Sequence, residues 1–152
     1  MPKKLAKNMV FSEILVDEKI KRIKDYLEEI KPLLSLSVQE ILNDFTKLRA
    51  IERNFQLIVD EMIDVNQHFI KELGFDISND LEGTFHILGE NKVLPEDFAL
   101  KIAPVVGLRN RLVHRYEKLD PKTFIESFQK EHSDFEEYIK FIINYLEKQK
   151  NI

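Results

Sequence analysis

Apolar residues recur at helical spacing along nearly the whole chain. Ile20, Ile23, Leu27, Ile30 and Leu34 step by threes and fours, the spacing that gathers side chains on one face of a helix. They predict a first helix from about Ser12, whose hydroxyl is suited to cap it, to Pro32 or just past it. After the Leu34-Ser35-Leu36 turn, Ser37 and Glu40 form an S-x-x-E capping box that restarts the helix. Phe45, Leu48, Ile51, Phe55, Ile58, Met62, Val65, Phe69 and Leu73 then make one long stripe ending at Gly74. Asn43-Asp44 interrupts this stretch, which leaves two expectations: one very long helix, or a short helix followed by a long one.

Asp76, Ser78, Asn79 and Asp80 predict a loop over Phe75 to Glu82. A short helix is expected from Gly83 to Leu88, stopped by Gly89-Glu90-Asn91. Pro95, followed by Glu96 and Asp97, reads as the first turn of the next helix, and Pro104 should kink or split it. The segment from Val105 to about Tyr116 is helical again. Asp120-Pro121 opens the last helix, with Phe124, Phe128, Phe135, Ile139, Ile142 and Leu146 as its stripe. Strand alternation and internal repeats are absent. About five helices joined by short connections predict an all-α antiparallel bundle, with residues 1–152 as a single domain, long enough to bury roughly 70% of its unfolded surface. Most of the eleven phenylalanines fall on the stripes and belong to the core. Tyr26 and Tyr138 lie off them and are expected on a partner-facing surface.

Composition narrows the class. With no cysteine, disulfides, thiolate catalysis and cysteine-ligated metals are excluded, and a reducing cytoplasm is the expected location. The basic start, Met1 to Lys7, is followed by no apolar segment of signal-peptide length. No stretch approaches the roughly 20 apolar residues that cross a bilayer, so a soluble protein without membrane association is expected. The net charge of −4 is unlike that of a generic nucleic-acid binder. It is unevenly placed, however: Lys101 to Lys122 carries six basic and two acidic residues, +4 in all, against −8 for the remainder. Such a local patch attracts a polyanion to an otherwise acidic body.

Within that patch, Arg109-Asn110-Arg111-Leu112-Val113-His114-Arg115-Tyr116 concentrates the chemistry. An imidazole moves protons near neutral pH, and a guanidinium offers a fork of donors matched to phosphate oxygens. The set suits phosphate-ester chemistry without a metal or cofactor. Asn110 and His114 are four apart and share a helix face, with Arg109 one step round. Arg111 and Arg115 form a second pair at that spacing, candidate contacts for phosphate groups. The plain alternative is a solvated helix end whose cations complement the dipole. Asp64 and His68, also four apart, allow three readings: half of a metal site, a surface salt bridge, or an Asp64 carboxylate that pairs with Arg109 and positions it. His86 and His132 carry no pattern. Phosphate-binding glycine loops, G-x-S-x-G and H-E-x-x-H are all absent.

The R-x-x-x-x-H-x-Y run resembles the signature of HEPN-domain toxins of the HepT type, and the resemblance extends over nearly the whole chain. Ala50-Ile51-Glu52-Arg53-Asn54-Phe55-Gln56, Ile63-Asp64 with His68, Leu88-Gly89-Glu90, and the segment Leu100 to Tyr116 follow the family's order. The resemblance implies a metal-independent endoribonuclease toxin that acts on RNA as a homodimer, with two signatures facing one cleft. It implies catalytic roles for Arg109 and His114, an orienting role for Asn110, and silencing by a cognate minimal nucleotidyltransferase antitoxin that adds AMP to Tyr116. The alternative within the same fold is a non-catalytic HEPN partner that binds such a transferase and presents nucleotide or substrate to it. The complete signature favours the nuclease.

Overall fold

The computed structural model describes residues 12–114 and 119–150. Among these there are eight helices and no strand: α1 (Glu13–Leu34), α2 (Val38–Leu42), α3 (Phe45–Leu73), α4 (Gly83–Glu90), α5 (Glu96–Ile102), α6 (Val105–His114), α7 (Pro121–Glu131) and α8 (Ser133–Lys150). The all-α expectation holds, and the helices outnumber the expected five because local stop signals divide the long stripes.

Those signals are specific side chains. Ser12 Oγ accepts from the Leu15 amide and starts α1, which runs through Pro32 to Leu34. Ser37 and Glu40 close the capping box of α2. Asp44 then accepts from the amides of Thr46 and Lys47 and starts α3. An N-cap residue takes extended backbone angles and cannot continue a helix, so the short-then-long alternative is the one realised. Gly74 ends α3 at φ 70°, a left-handed conformation that costs glycine little. Pro104 separates α5 from α6. The segment expected as one last helix is broken near His132 into α7 and α8.

The core is one cluster drawing on every helix. α1 lies along α3, which also meets α4 and α6, while α4 packs on α5. The last contact needs Gly89, where a Cβ would come within 2.9 Å of Ala99 Cβ. Phe55 of α3 meets Phe124 and Phe128 of α7 and Phe135 of α8 edge-on, with centroids 5.1, 5.2 and 5.9 Å away. This is the favoured geometry for aromatic quadrupoles.

A buried polar chain ties three helices together and corrects one expectation. Tyr138 is fully buried rather than facing a partner. Its hydroxyl donates to Asn66 Oδ1 at 2.6 Å and lies 3.2 Å from the Met62 carbonyl. Asn66 Nδ2 donates to Thr84 Oγ1, which donates to the Leu81 carbonyl. Every member is thereby satisfied, and burial holds the Tyr138 phenol well above its ordinary pKa. Tyr26 is half-buried against the core.

Candidate active site

α6 carries the signature on a helix with little packing of its own. Only Val106 is buried, and Leu108, Leu112 and Val113 are half-buried. Asn110, Arg111 and His114 are exposed. Arg115 and Tyr116 lie outside the described residues.

Arg109 is the exception, half-buried and held from two sides. Its Nε donates to Asp60 Oδ1 of α3 at 2.7 Å, and its Nη1 donates to Asn110 Oδ1 at 3.1 Å. The ion pair is partly shielded, with side-chain exposures of 22% for Arg109 and 35% for Asp60, so it is screened less than a surface pair. Two of the five guanidinium hydrogens are used in these contacts, which leaves most of the fork for an incoming oxyanion. On the same helix, His114 follows Asn110 by about one turn on a shared face. The α3–α6 crossing thus anchors the guanidinium, on a helix that also carries the exposed Asn110 and His114.

Asp64 does not pair with Arg109. It lies about one turn along α3 from Asp60 and accepts from Lys19 Nζ at 3.0 Å, an ammonium it shares with Glu61. Arg22 adds a 3.6 Å contact to Glu61. α1 claims Asp64 because Lys19 faces it across the α1–α3 contact, and α6 crosses α3 one turn earlier. Asp64 therefore sits in a salt bridge with Lys19 of α1, a partner that its spacing to His68 did not indicate. His68 also faces α1: its Nε2 accepts from the Ser12 amide at 3.0 Å. Desolvation lowers its pKa and favours the neutral ring that accepts this bond. His132 sits at the end of α7, with Nδ1 3.0 Å from the Gln129 carbonyl oxygen. Asp60 is the site residue that sequence reasoning missed. Its signal was an acidic group four positions before Asp64 on the same stripe.

Residues 23–142 match the family model described as Ribonuclease HepT-like. The chain belongs to the HepT-like ribonuclease family. A tRNA nuclease HepT of Aphanizomenon flos-aquae is 31% identical over 88% of this HepT-like chain and 90% of the relative. An mRNA nuclease HepT of Shewanella oneidensis is 26% identical over 84% of the chain and 96% of the relative. The HepT-like fold also superposes on a solved structure described as a tri-AMPylated Shewanella oneidensis HEPN toxin in complex with MNT antitoxin. The TM-score there is 0.79, with 24% identity, covering 88% of this chain and 99% of that one. Among the described residues no helix is long and apolar enough to cross a membrane.

Proposed function

We propose that this HepT-like protein is the endoribonuclease toxin of a toxin–antitoxin pair, cleaving RNA without a metal and silenced by AMP addition to Tyr116. The observation that carries this reading is the anchored Arg109 guanidinium on the helix that bears Asn110 and His114. RNA supplies its own nucleophile. The ribose 2′-oxygen attacks phosphorus, forming a new P–O bond and breaking the bond to the 5′-oxygen. One proton must leave the 2′-hydroxyl and one must reach the departing 5′-oxygen. His114 serves in proton transfer. Arg109 balances the charge that develops on the phosphorane oxygens, and does so without reorganisation because Asp60 already fixes it. Asn110 orients phosphate or ribose, and Arg111 and Arg115 hold neighbouring phosphates.

One imidazole in the signature is a thin set for two proton transfers. A second copy of the chain would bring another His114 to the same cleft. A homodimer with two signatures in one cleft is accordingly part of the proposal, and so is a cytoplasmic location.

Asp60 is a positioning residue. Asp60→Asn keeps the shape and a hydrogen-bond acceptor but removes the charge, and it should lower kcat roughly tenfold to a hundredfold, the scale of a misplaced catalytic group. KM should change far less, because substrate still meets an intact Arg109. Steady-state kinetics that show a KM effect alone would assign Asp60 to substrate binding instead.

Incubation with the cognate nucleotidyltransferase, ATP and Mg²⁺ tests the control step. Mass should rise in AMP increments that map to Tyr116 by peptide sequencing. The first transfer joins the phenol oxygen to the α-phosphorus of ATP, a further one joins a ribose hydroxyl of the AMP already attached to the next α-phosphorus, and each releases pyrophosphate and a proton. The added phosphodiester brings negative charge and bulk to the basic signature, one position after Arg115 in the sequence, and can pair with a guanidinium in place of substrate. Tyr116→Phe should stay toxic and resist neutralisation. Neutralisation of the phenylalanine variant at the wild-type level would show that complex formation alone silences the toxin.

A further inference from the structure

The outward face of α3 continues beyond the candidate site. Gln56, Arg53, Arg49 and Phe45 precede Asp60 at steps of four, three, four and four residues, which places all five on one side of the helix. Arg49 and Arg53 are exposed and Gln56 is half-buried. At the start of α3, Phe45 is 72% exposed and is the one exposed phenylalanine among the described residues. Its ring does not contribute to the core. The Arg49 guanidinium lies over it, 5.3 Å from the centroid, and is fixed there by a 2.6 Å bond to Glu52 Oε1. The carboxylate restrains Arg49 while the ring keeps its exposure. Arg53 makes no ion pair with a described residue. From Asp60 to Phe45 the helix runs about 22 Å, a distance that several unstacked nucleotides can follow.

We propose that this stripe is a track for the single-stranded RNA flanking the scissile phosphate, with Arg53 and Gln56 on the neighbouring phosphate and sugar and a base stacked on the Phe45–Arg49 platform. The proposal rests on the ribonuclease reading, since it takes Arg109 as the point where the scissile phosphate sits. A π-face accepts any base, so the platform adds affinity with little sequence preference. The guanidinium held over Phe45 adds cation–π attraction and pre-pays part of the ordering cost. Arg53 supplies the charge complementarity, as a fork suited to a phosphate.

Binding of labelled single-stranded oligoribonucleotides to the full-length protein, followed by anisotropy beside cleavage kinetics, tests the track. Phe45→Ala should weaken a dodecamer by about 5- to 100-fold, the range of one base–aromatic stack, and should raise KM with kcat unchanged. A trinucleotide, too short to reach Phe45, should bind and react as with wild type. Phe45→Trp should match or tighten dodecamer binding. Arg53→Gln should weaken the dodecamer and reduce the salt slope by about one. The exposure of both side chains keeps the thermal midpoint near wild type in all three variants. Unchanged dodecamer affinity in Phe45→Ala and Arg53→Gln, with cleavage intact, overturns the track and leaves the ribonuclease reading standing. Phe45-dependent binding of RNA that is never cut supports the stacking platform as an RNA-binding surface and overturns the ribonuclease reading, and with it the alignment to a scissile phosphate. Loss of nucleotidyltransferase binding with RNA affinity unchanged would give this face to a protein partner and overturn the track.

Discussion

Alanine at His114 or at Arg109 is expected to abolish RNA cleavage, lowering kcat/KM by about 100- to 10,000-fold in each case. That is the scale of losing a general acid–base group or a preorganised stabiliser of developing charge. Folding should survive both changes. His114 is exposed, and Arg109 reaches the core only through its pair with Asp60, so circular dichroism and the thermal midpoint should stay close to wild type. The double variant should be little worse than either single one, because groups that act in one step are strongly non-additive. EDTA should leave the wild-type rate unchanged. A chelator-sensitive wild type would sink the metal-free mechanism, and a His114→Ala variant with wild-type kcat would remove the imidazole from it.

The largest effect on stability is expected at Phe55. This ring is the meeting point of α3, α7 and α8, with three edge-on aromatic neighbours. Phe55→Ala removes the buried ring and leaves a cavity that the surrounding rings, themselves buried, fill only in part. The cost should be about 3–5 kcal/mol. For a chain of this length that corresponds to a fall of roughly 6–20 °C in thermal midpoint. Phe55→Leu, which keeps most of the volume, should lose much less. Chemical denaturation checks the same numbers without the irreversibility of heating. A Phe55→Ala midpoint within experimental error of wild type would mean that the aromatic cluster is not what holds α7 and α8 to α3. Because α6 leans on α3 close to this cluster, Phe55→Ala should also lower activity near its melting temperature while sparing it well below.

The sequence by itself determined the helical class, most helix ends and the candidate signature. Each of those depends on residues close together along the chain. Ser12, Ser37 with Glu40, Asp44, Gly74 and Asp120 act within one turn of where they stand, so their capping chemistry could be read before any fold was known. The ordered motifs from Ala50 to His114 are likewise continuous in sequence, and they were enough for the family. Tertiary structure alone decided which partners meet. Asp60 and Asp64 lie on one stripe of α3 and are equivalent by spacing. Only the crossing point of α6, and the arrival of Lys19 from α1, assign Arg109 to the first and the ammonium to the second. Tyr138 is a different case: it stands three residues after Phe135 and four before Ile142, on the buried stripe of α8, so spacing alone already places it in the core and the off-stripe reading was the error. Tertiary structure decided what its hydroxyl meets, the hydrogen-bond chain through Asn66 and Thr84. Local backbone chemistry is written residue by residue, whereas a contact between helices depends on where two surfaces cross, and no residue spacing along either helix specifies that crossing.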